Sequence, residues 1–185
     1  ITGTPLCLIV FDLDHFKNLN DTYGHDAGDF VLKELAMVLR GHGVREGDVF
    51  ARYGGEEFAI LAPVTAMEVA IALDRVRETI ADAKLAHEEQ VIPVTMSGGS
   101  SEITQDDRVG NLVRRADEGL YTSKMGGRNR VHLHDGSICH RITKVDLAAE
   151  RVTAEQAKKQ SRQHLNENES DAVDSKSSVV QQRLK

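Results

Sequence analysis

An α+β fold, a mostly antiparallel sheet flanked by helices, is predicted for this 185-residue chain by three observations. The run LCLIVF (Leu6–Phe11) is continuously apolar and partly β-branched, as a central strand buried on both faces requires. Two short strand-forming runs, DVFARY and EFAILA, flank the adjacent pair Gly54-Gly55 with no helix between them. Helical periodicity occupies the segments before and after that hairpin. The hairpin breaks the strand–helix–strand alternation of a doubly wound parallel sheet, so an antiparallel sheet with its helices on one face is expected.

Taken in order, the strand Leu6–Phe11 leads into a helix whose Val31, Leu35 and Val38 share a face until Gly41 and Gly43 interrupt it. The hairpin follows. Val69, Leu73, Val76 and Ile80 then form the buried stripe of a second helix. VIPVTMSGG (Val91–Gly99) reads as a strand. Val109, Leu112, Val113, Ala116 and Leu120 mark a third helix, and NRVHLH a short last strand. The order is β-α-β-β-α-β-α-β.

Composition divides the chain near residue 135. Every Phe and Tyr falls at or before Tyr121. Residues 1–135 hold 22 acidic against 14 basic side chains, and residues 136–185 hold 7 against 9. A globular domain over 1–135 is expected, followed by a polar tail that accommodates one amphipathic helix over 144–160. The stretch NENESDAVDSKSS in that tail has a disordered composition. A net charge of −6 argues against nucleic-acid binding through a broad basic surface. No apolar run approaches the roughly 20 residues that span a bilayer. Cys7 and Cys139 lack metal-ligand spacing and read as reduced thiols of a cytoplasmic protein.

The candidate chemistry lies at the hairpin and the end of the first strand. Glycines in a hairpin turn ordinarily supply a positive φ, but two in succession also leave bare backbone for a ligand. Glu56 and Glu57 follow them directly, and Asp12 and Asp14 stand where the buried strand ends. Carboxylates on a strand end and a neighbouring hairpin suit Mg²⁺, which takes few protein oxygens and fills its shell with water and phosphate. Asp14 reads better as the N-cap of the following helix. The N–H groups of His15, Phe16 and Lys17 open that helix and can receive phosphate oxygens. Asn20 and Asp29, on either side of Gly24, offer an amide and a carboxylate that together can read a guanine edge. Singly, each is more often a cap or turn residue.

Four segments, FDLDHFKNLNDTYGHDAGD, REGD, RYGGEEF and RRADEGLYTSKMGGRNRV, resemble in order and spacing the motifs of a GGDEF domain, the diguanylate cyclase family. GGEEF is an accepted form of its signature, and the likeness runs from about Leu6 to Leu133. The resemblance implies a fold like the palm of class III nucleotide cyclases and polymerases. It implies that Asp12, Glu56 and the Leu13 carbonyl hold Mg²⁺, with Mn²⁺ as the alternative. Gly54 and Gly55 would form the turn against which GTP lies. Glu57 would activate the 3′-hydroxyl or serve as a supporting carboxylate. Asn20 and Asp29 would recognise guanine, while Lys124 and Arg128 would bind the β- and γ-phosphates.

The implied reaction joins two GTP molecules into cyclic di-GMP and releases two pyrophosphates, so two domains must face each other as a homodimer. Arg45 and Asp48 of REGD match the RxxD site at which the product inhibits, with Arg75 or Arg77 as a second contact. Family members usually carry a DxLTGLxNRR-like segment and a helix before the first strand, which this sequence, starting at ITGTPL, does not contain. A cytoplasmic location is expected, either for the chain by itself or as the cytoplasmic part of a larger sensor protein. Two alternatives stand beside the cyclase: a silent domain acting as a receptor for cyclic di-GMP or GTP, and an enzyme making another cyclic nucleotide. Intact signature residues disfavour the first, and Asp29 disfavours the second.

Overall fold

The computed structural model of the chain describes residues 5–42, 44–105, 107–143, 146 and 156. The chain divides into units 1–142 and 143–185. In the first, strand β1 (Cys7–Leu13) leads into helices α1 (Phe16–Tyr23) and α2 (His25–His42), then the hairpin β2 (Val49–Arg52) and β3 (Glu57–Ala62). Helix α3 (Ala66–Asp82), a small hairpin β4 (Leu85–His87) and β5 (Gln90–Ile92), strand β6 (Met96–Glu102), helix α4 (Val109–Met125) and strands β7 (Val131–His134) and β8 (Cys139–Arg141) complete it. The main sheet runs β2-β3-β1-β6-β7-β8. All its pairs are antiparallel except β6–β7.

Strand β1 is central because it is apolar on both faces: Ile9, Phe11 and Leu13 are 1% exposed or less, and Val10 is 6% exposed. Phe11 shares a face with Leu73 of α3, since a methyl built on Gly98 of β6 would press on both. Val10 packs with Ala116 and Leu120 of α4 on the other face. Helices therefore cover both faces, not one as the element order suggests; a strand apolar on both sides needs both covers. The rings of Phe11, Phe58 and Phe50 stack across β1, β3 and β2 at 5.5 and 5.8 Å, which ties the hairpin to the central strand.

Helix α4 sits unusually close to β6. A methyl on Gly99 would overlap the backbone N of Leu120 and the carbonyl of Ala116, and one on Gly119 would reach Gly99 Cα at 3.0 Å. Arg115 anchors the same helix, donating to Asp107 at 2.6 and 2.8 Å, to Ser101 Oγ and to the Glu102 carbonyl. Both charged side chains of this pair are buried, and the arginine holds the Asp107 carboxyl well below the usual carboxylate range.

Several expectations change. The single helix after β1 is two, divided at Gly24, whose φ of 90° no branched residue tolerates. The predicted strand Val91–Gly99 is two, because Pro93 cannot donate to a ladder and strand structure stops before Met96. The first unit extends seven residues beyond 135: β8 pairs with β7, and Ile142 donates its N–H to the Val131 carbonyl. In the second unit, Asp146 and Gln156 are helical, and Asp146 accepts from the N–H and hydroxyl of Thr143. The rest of the expected helix 144–160, the NENESDAVDSKSS stretch and residues 1–4 lie outside the described residues.

Candidate active site

Asp12 ends the apolar stretch of β1 with only 5% exposure, and the ladder sets it opposite Glu57 of β3. The Leu13 N–H reaches the Glu56 carbonyl at 3.4 Å, so the GGEE turn lies against the end of β1. Lys124, in the last turn of α4, places Nζ 2.9 Å from Asp12 Oδ2. Burial raises the Asp12 pKa; Lys124 opposes the shift, while Glu56 and Glu57 add to it. A buried carboxylate crowded by two others and holding an ammonium as stand-in cation is a donor set of hard oxygens, and this fits Mg²⁺. Among the described residues, no three His, Cys, Asp or Glu side chains are grouped so that they could hold a metal ion by themselves.

The turn itself corrects one reading. Neither Gly54 nor Gly55 has a positive φ. Their carbonyls accept from the Arg52 guanidinium, and the N–H groups of Tyr53 and Gly54 both bond the Glu57 carbonyl. What the glycines contribute is space. A methyl on Gly54 would stand 2.7 Å from Glu57 Oε2, and Gly55 faces open surroundings.

Asp14 is not a helix cap. His15 occupies the N-cap of α1 with φ 57° and caps nothing with its side chain. The Asp14 carboxylate instead accepts from Thr95 and Ser97 hydroxyls, each at 2.7 Å, and from the Asn129 N–H at 3.0 Å. The first N–H groups of α1, at Phe16 and Lys17, thus open beside the strand end without a side-chain cap. Asn20, on α1, keeps its Oδ1 buried and unpartnered. That amide rests on the bare backbone of Gly28, where a methyl would overlap Oδ1 and press on Phe16. Asp29, next in sequence, is exposed and lies inside α2, so it does not cap a helix at Phe30.

Arg128 follows α4 in a turn where Gly127, Arg128 and Asn129 all take positive φ. Arg45 to Asp48 form a turn closed by the Asp48 N–H on the Arg45 carbonyl, with Gly47 at φ 96°. Asp48 accepts the Arg45 backbone N–H at 2.7 Å. Four-residue β2 separates this turn from the GGEE turn by roughly 13 Å of strand. On α3, Arg77 is committed to Asp74 and Asn129 and is 13% exposed; Arg75 also has partners.

Sequence reading missed Gly28, Asn129 and Asp117. Asp117 shares a cleft of about 240 Å³ with Tyr53, Glu57, Tyr121 and Lys124, and its pKa is raised by burial and by Glu57. Its spacing of seven from Lys124 on one helix was the available signal.

Strand-end carboxylates, a glycine turn, an uncapped helix start and a buried, unpartnered amide oxygen thus gather at one end of this α+β domain. The family profile "Diguanylate cyclase, GGDEF domain" matches residues 2–130, and the chain belongs to that family. It is 41% identical over 135 residues to diguanylate cyclase A of Treponema denticola, covering 72% of this chain and 36% of that protein. Against the response regulator PleD of Caulobacter vibrioides it is 41% identical over 133 residues, covering 70% and 29%. The match thus spans about a third of these relatives. Among solved structures, the GGDEF domain of DgcB from Caulobacter crescentus in complex with c-di-GMP superposes with TM-score 0.67 at 38% identity, covering 71% of this chain and 79% of that one. The active GGEEF domain of a Vibrio cholerae diguanylate cyclase gives 0.65 at 32%, covering 72% and 85%. Among the described residues, no helix is long and apolar enough to cross a membrane.

Proposed function

We propose that this chain is a diguanylate cyclase domain that condenses two GTP molecules into cyclic di-GMP. The observation that carries the reading is the buried Asp12 carboxylate, opposed in register by Glu57 and holding the Lys124 ammonium. Such a site is built for a cation and the phosphates that accompany it. Asp12, Glu56 and the Leu13 carbonyl would hold Mg²⁺, which when bound supplies positive charge against the phosphate oxygens.

The protein's own groups supply the remainder. Asn20 offers an amide whose buried Oδ1 has no protein partner, and Asp29 a carboxylate, to the guanine edge. Lys124 and Arg128 bind the β- and γ-phosphates, and the open backbone at Gly55 admits the nucleotide against the turn. Each 3′-oxygen bonds the other GTP's α-phosphorus as the bond to pyrophosphate breaks. The departing hydroxyl proton goes to a carboxylate, and Glu57, which is exposed, is the one proposed for it. Two domains, each holding one GTP, complete the site as a homodimer. The Arg45–Asp48 turn, at the other end of β2, is proposed as the inhibitory product site; the relative bound to c-di-GMP supports a domain of this kind taking that ligand.

The test is incubation of the protein with GTP and Mg²⁺, with products identified by mass. Cyclic di-GMP and two equivalents of pyrophosphate are expected. Binding of GTP or cyclic di-GMP without turnover would instead favour a receptor.

A further inference from the structure

The turn that carries Arg128 is held in a conformation its sequence does not favour. Gly127, Arg128 and Asn129 have φ of 108°, 61° and 47° in succession. Glycine accepts this and asparagine tolerates it, but arginine rarely adopts it, and such backbone persists only where its surroundings fix it. Asn129 is fixed from two sides. Its N–H donates to Asp14 Oδ2 at 3.0 Å, and its side-chain Oδ1 accepts from Arg77 at 2.8 Å. Both partners are themselves immobilised. Asp14 also holds Thr95 and Ser97, and Arg77 donates to buried Asp74 at 2.6 Å. A bonded strut therefore runs from α3 through Asn129 to the end of β1, two residues beyond Asp12.

We propose that Asn129 is a positioning residue for the nucleotide's phosphates: clamped between Arg77 and Asp14, it fixes the left-handed backbone at Arg128 and thereby the reach of that guanidinium. The proposal rests on the reading above that Arg128 binds the triphosphate. The strut also shares its frame with Asp12, so the cationic and anionic halves of the phosphate site are referenced to one strand end.

Asn129→Gly isolates the strut. Glycine takes the same φ and keeps the N–H to Asp14, and the Arg77–Asp74 pair survives; the bond to Arg77 is lost. The measurement is the affinity of the full chain for GTP and for GMP, with Arg128→Ala alongside. Asn129→Gly is expected to lower the GTP-to-GMP affinity ratio by about tenfold, the worth of one bond to a charged group, with GMP affinity unchanged. In an Arg128→Ala background it is expected to change the ratio no further, because it acts through that arginine. If Arg128→Ala lowers the ratio and Asn129→Gly does not, the strut is only structural and the proposal falls. Equal weakening of GTP and GMP, or a full additional loss in the double variant, overturns it as well. An Arg128→Ala ratio equal to the parent's would remove the phosphate reading on which it rests.

Discussion

Lys124 Nζ lies 2.9 Å from Asp12 Oδ2, and so the last turn of α4 supplies the counter-charge for the buried end of β1. Burial still wins: the Asp12 pKa is raised in spite of the ammonium. Removing the ammonium should therefore raise it further.

Lys124→Met is accordingly expected to move the acid limb of GTP turnover to higher pH. In the parent, activity should fall on acidification at a midpoint above the ordinary carboxylate value, because a proton on Asp12 displaces the cation it must hold. Rate profiles of both proteins at the same limiting Mg²⁺, where proton and cation compete for Asp12, measure this. Identical midpoints would mean that Asp12 does not govern the acid limb.

Asp12→Asn and Glu56→Gln should abolish turnover with the fold intact. For Asp12 the sign of the stability change is also fixed. Its folded pKa lies above the unfolded one, so ionisation costs stability as pH rises through the carboxylate range. The amide escapes that cost. Thermal unfolding of Asp12→Asn at neutral pH should match or exceed the parent's, with the gap closing at acid pH. Wild-type turnover in either variant would refute the metal assignment.

Base choice should depend on Asp29 and Asn20. Guanine offers N1–H and a 2-amino group to a carboxylate, whereas adenine presents an acceptor at N1. Asp29→Ser should lower GTP affinity and narrow the preference over ATP; helix capping cannot explain a loss, because Asp29 sits within α2. Gly28→Ala, one residue earlier on the same helix, should do the same by displacing the Asn20 amide of α1. Binding of GTP and ATP to the three proteins decides it, and an unchanged preference in both variants would leave base reading to other residues.

Arg45→Ala should relieve inhibition by added cyclic di-GMP with little effect on the initial rate, since the Arg45–Asp48 turn and the catalytic turn occupy opposite ends of β2. Progress curves with and without product test it. Parallel slowing of parent and variant would return Arg45 to an ordinary surface role.

Arg115→Met should destabilise the domain by about 3–5 kcal/mol, as expected when one partner of a buried ion pair is removed. The depressed Asp107 pKa fixes the pH dependence: this stabilisation is present above the unfolded carboxylate value and lost only as pH falls toward the folded one. Denaturant unfolding of both proteins at neutral and acid pH checks both statements.

The central strand, the hairpin and the stripes of α3 and α4 were legible in the sequence because each rests on local periodicity. So were the strand-end and hairpin carboxylates, which the β1–β3 register brings together as Asp12 and Glu57. Strands β4 and β8 were not, being three residues each and carrying no apolar alternation, and β5 was read only as the start of one longer strand. The role of Asp14 was hidden for a different reason. Its partners lie 81, 83 and 115 residues away, and only the folded sheet reveals them. Gly28 escaped notice because its purpose, room for an amide eight residues earlier, leaves no mark on helical periodicity.

The contact between Gly99 and Gly119 makes α4 a lever whose fulcrum is bare backbone. Lys124 sits five residues farther along that lever, roughly 7.5 Å of helix from the pivot. A side chain introduced at position 99 would have to tilt the lever, and the tilt would arrive at the ammonium facing Asp12. Mutational drift at a silent-looking position on a buried strand would thus read out at the Lys124–Asp12 pair, two rungs along the β1–β6 ladder, without any change to either residue.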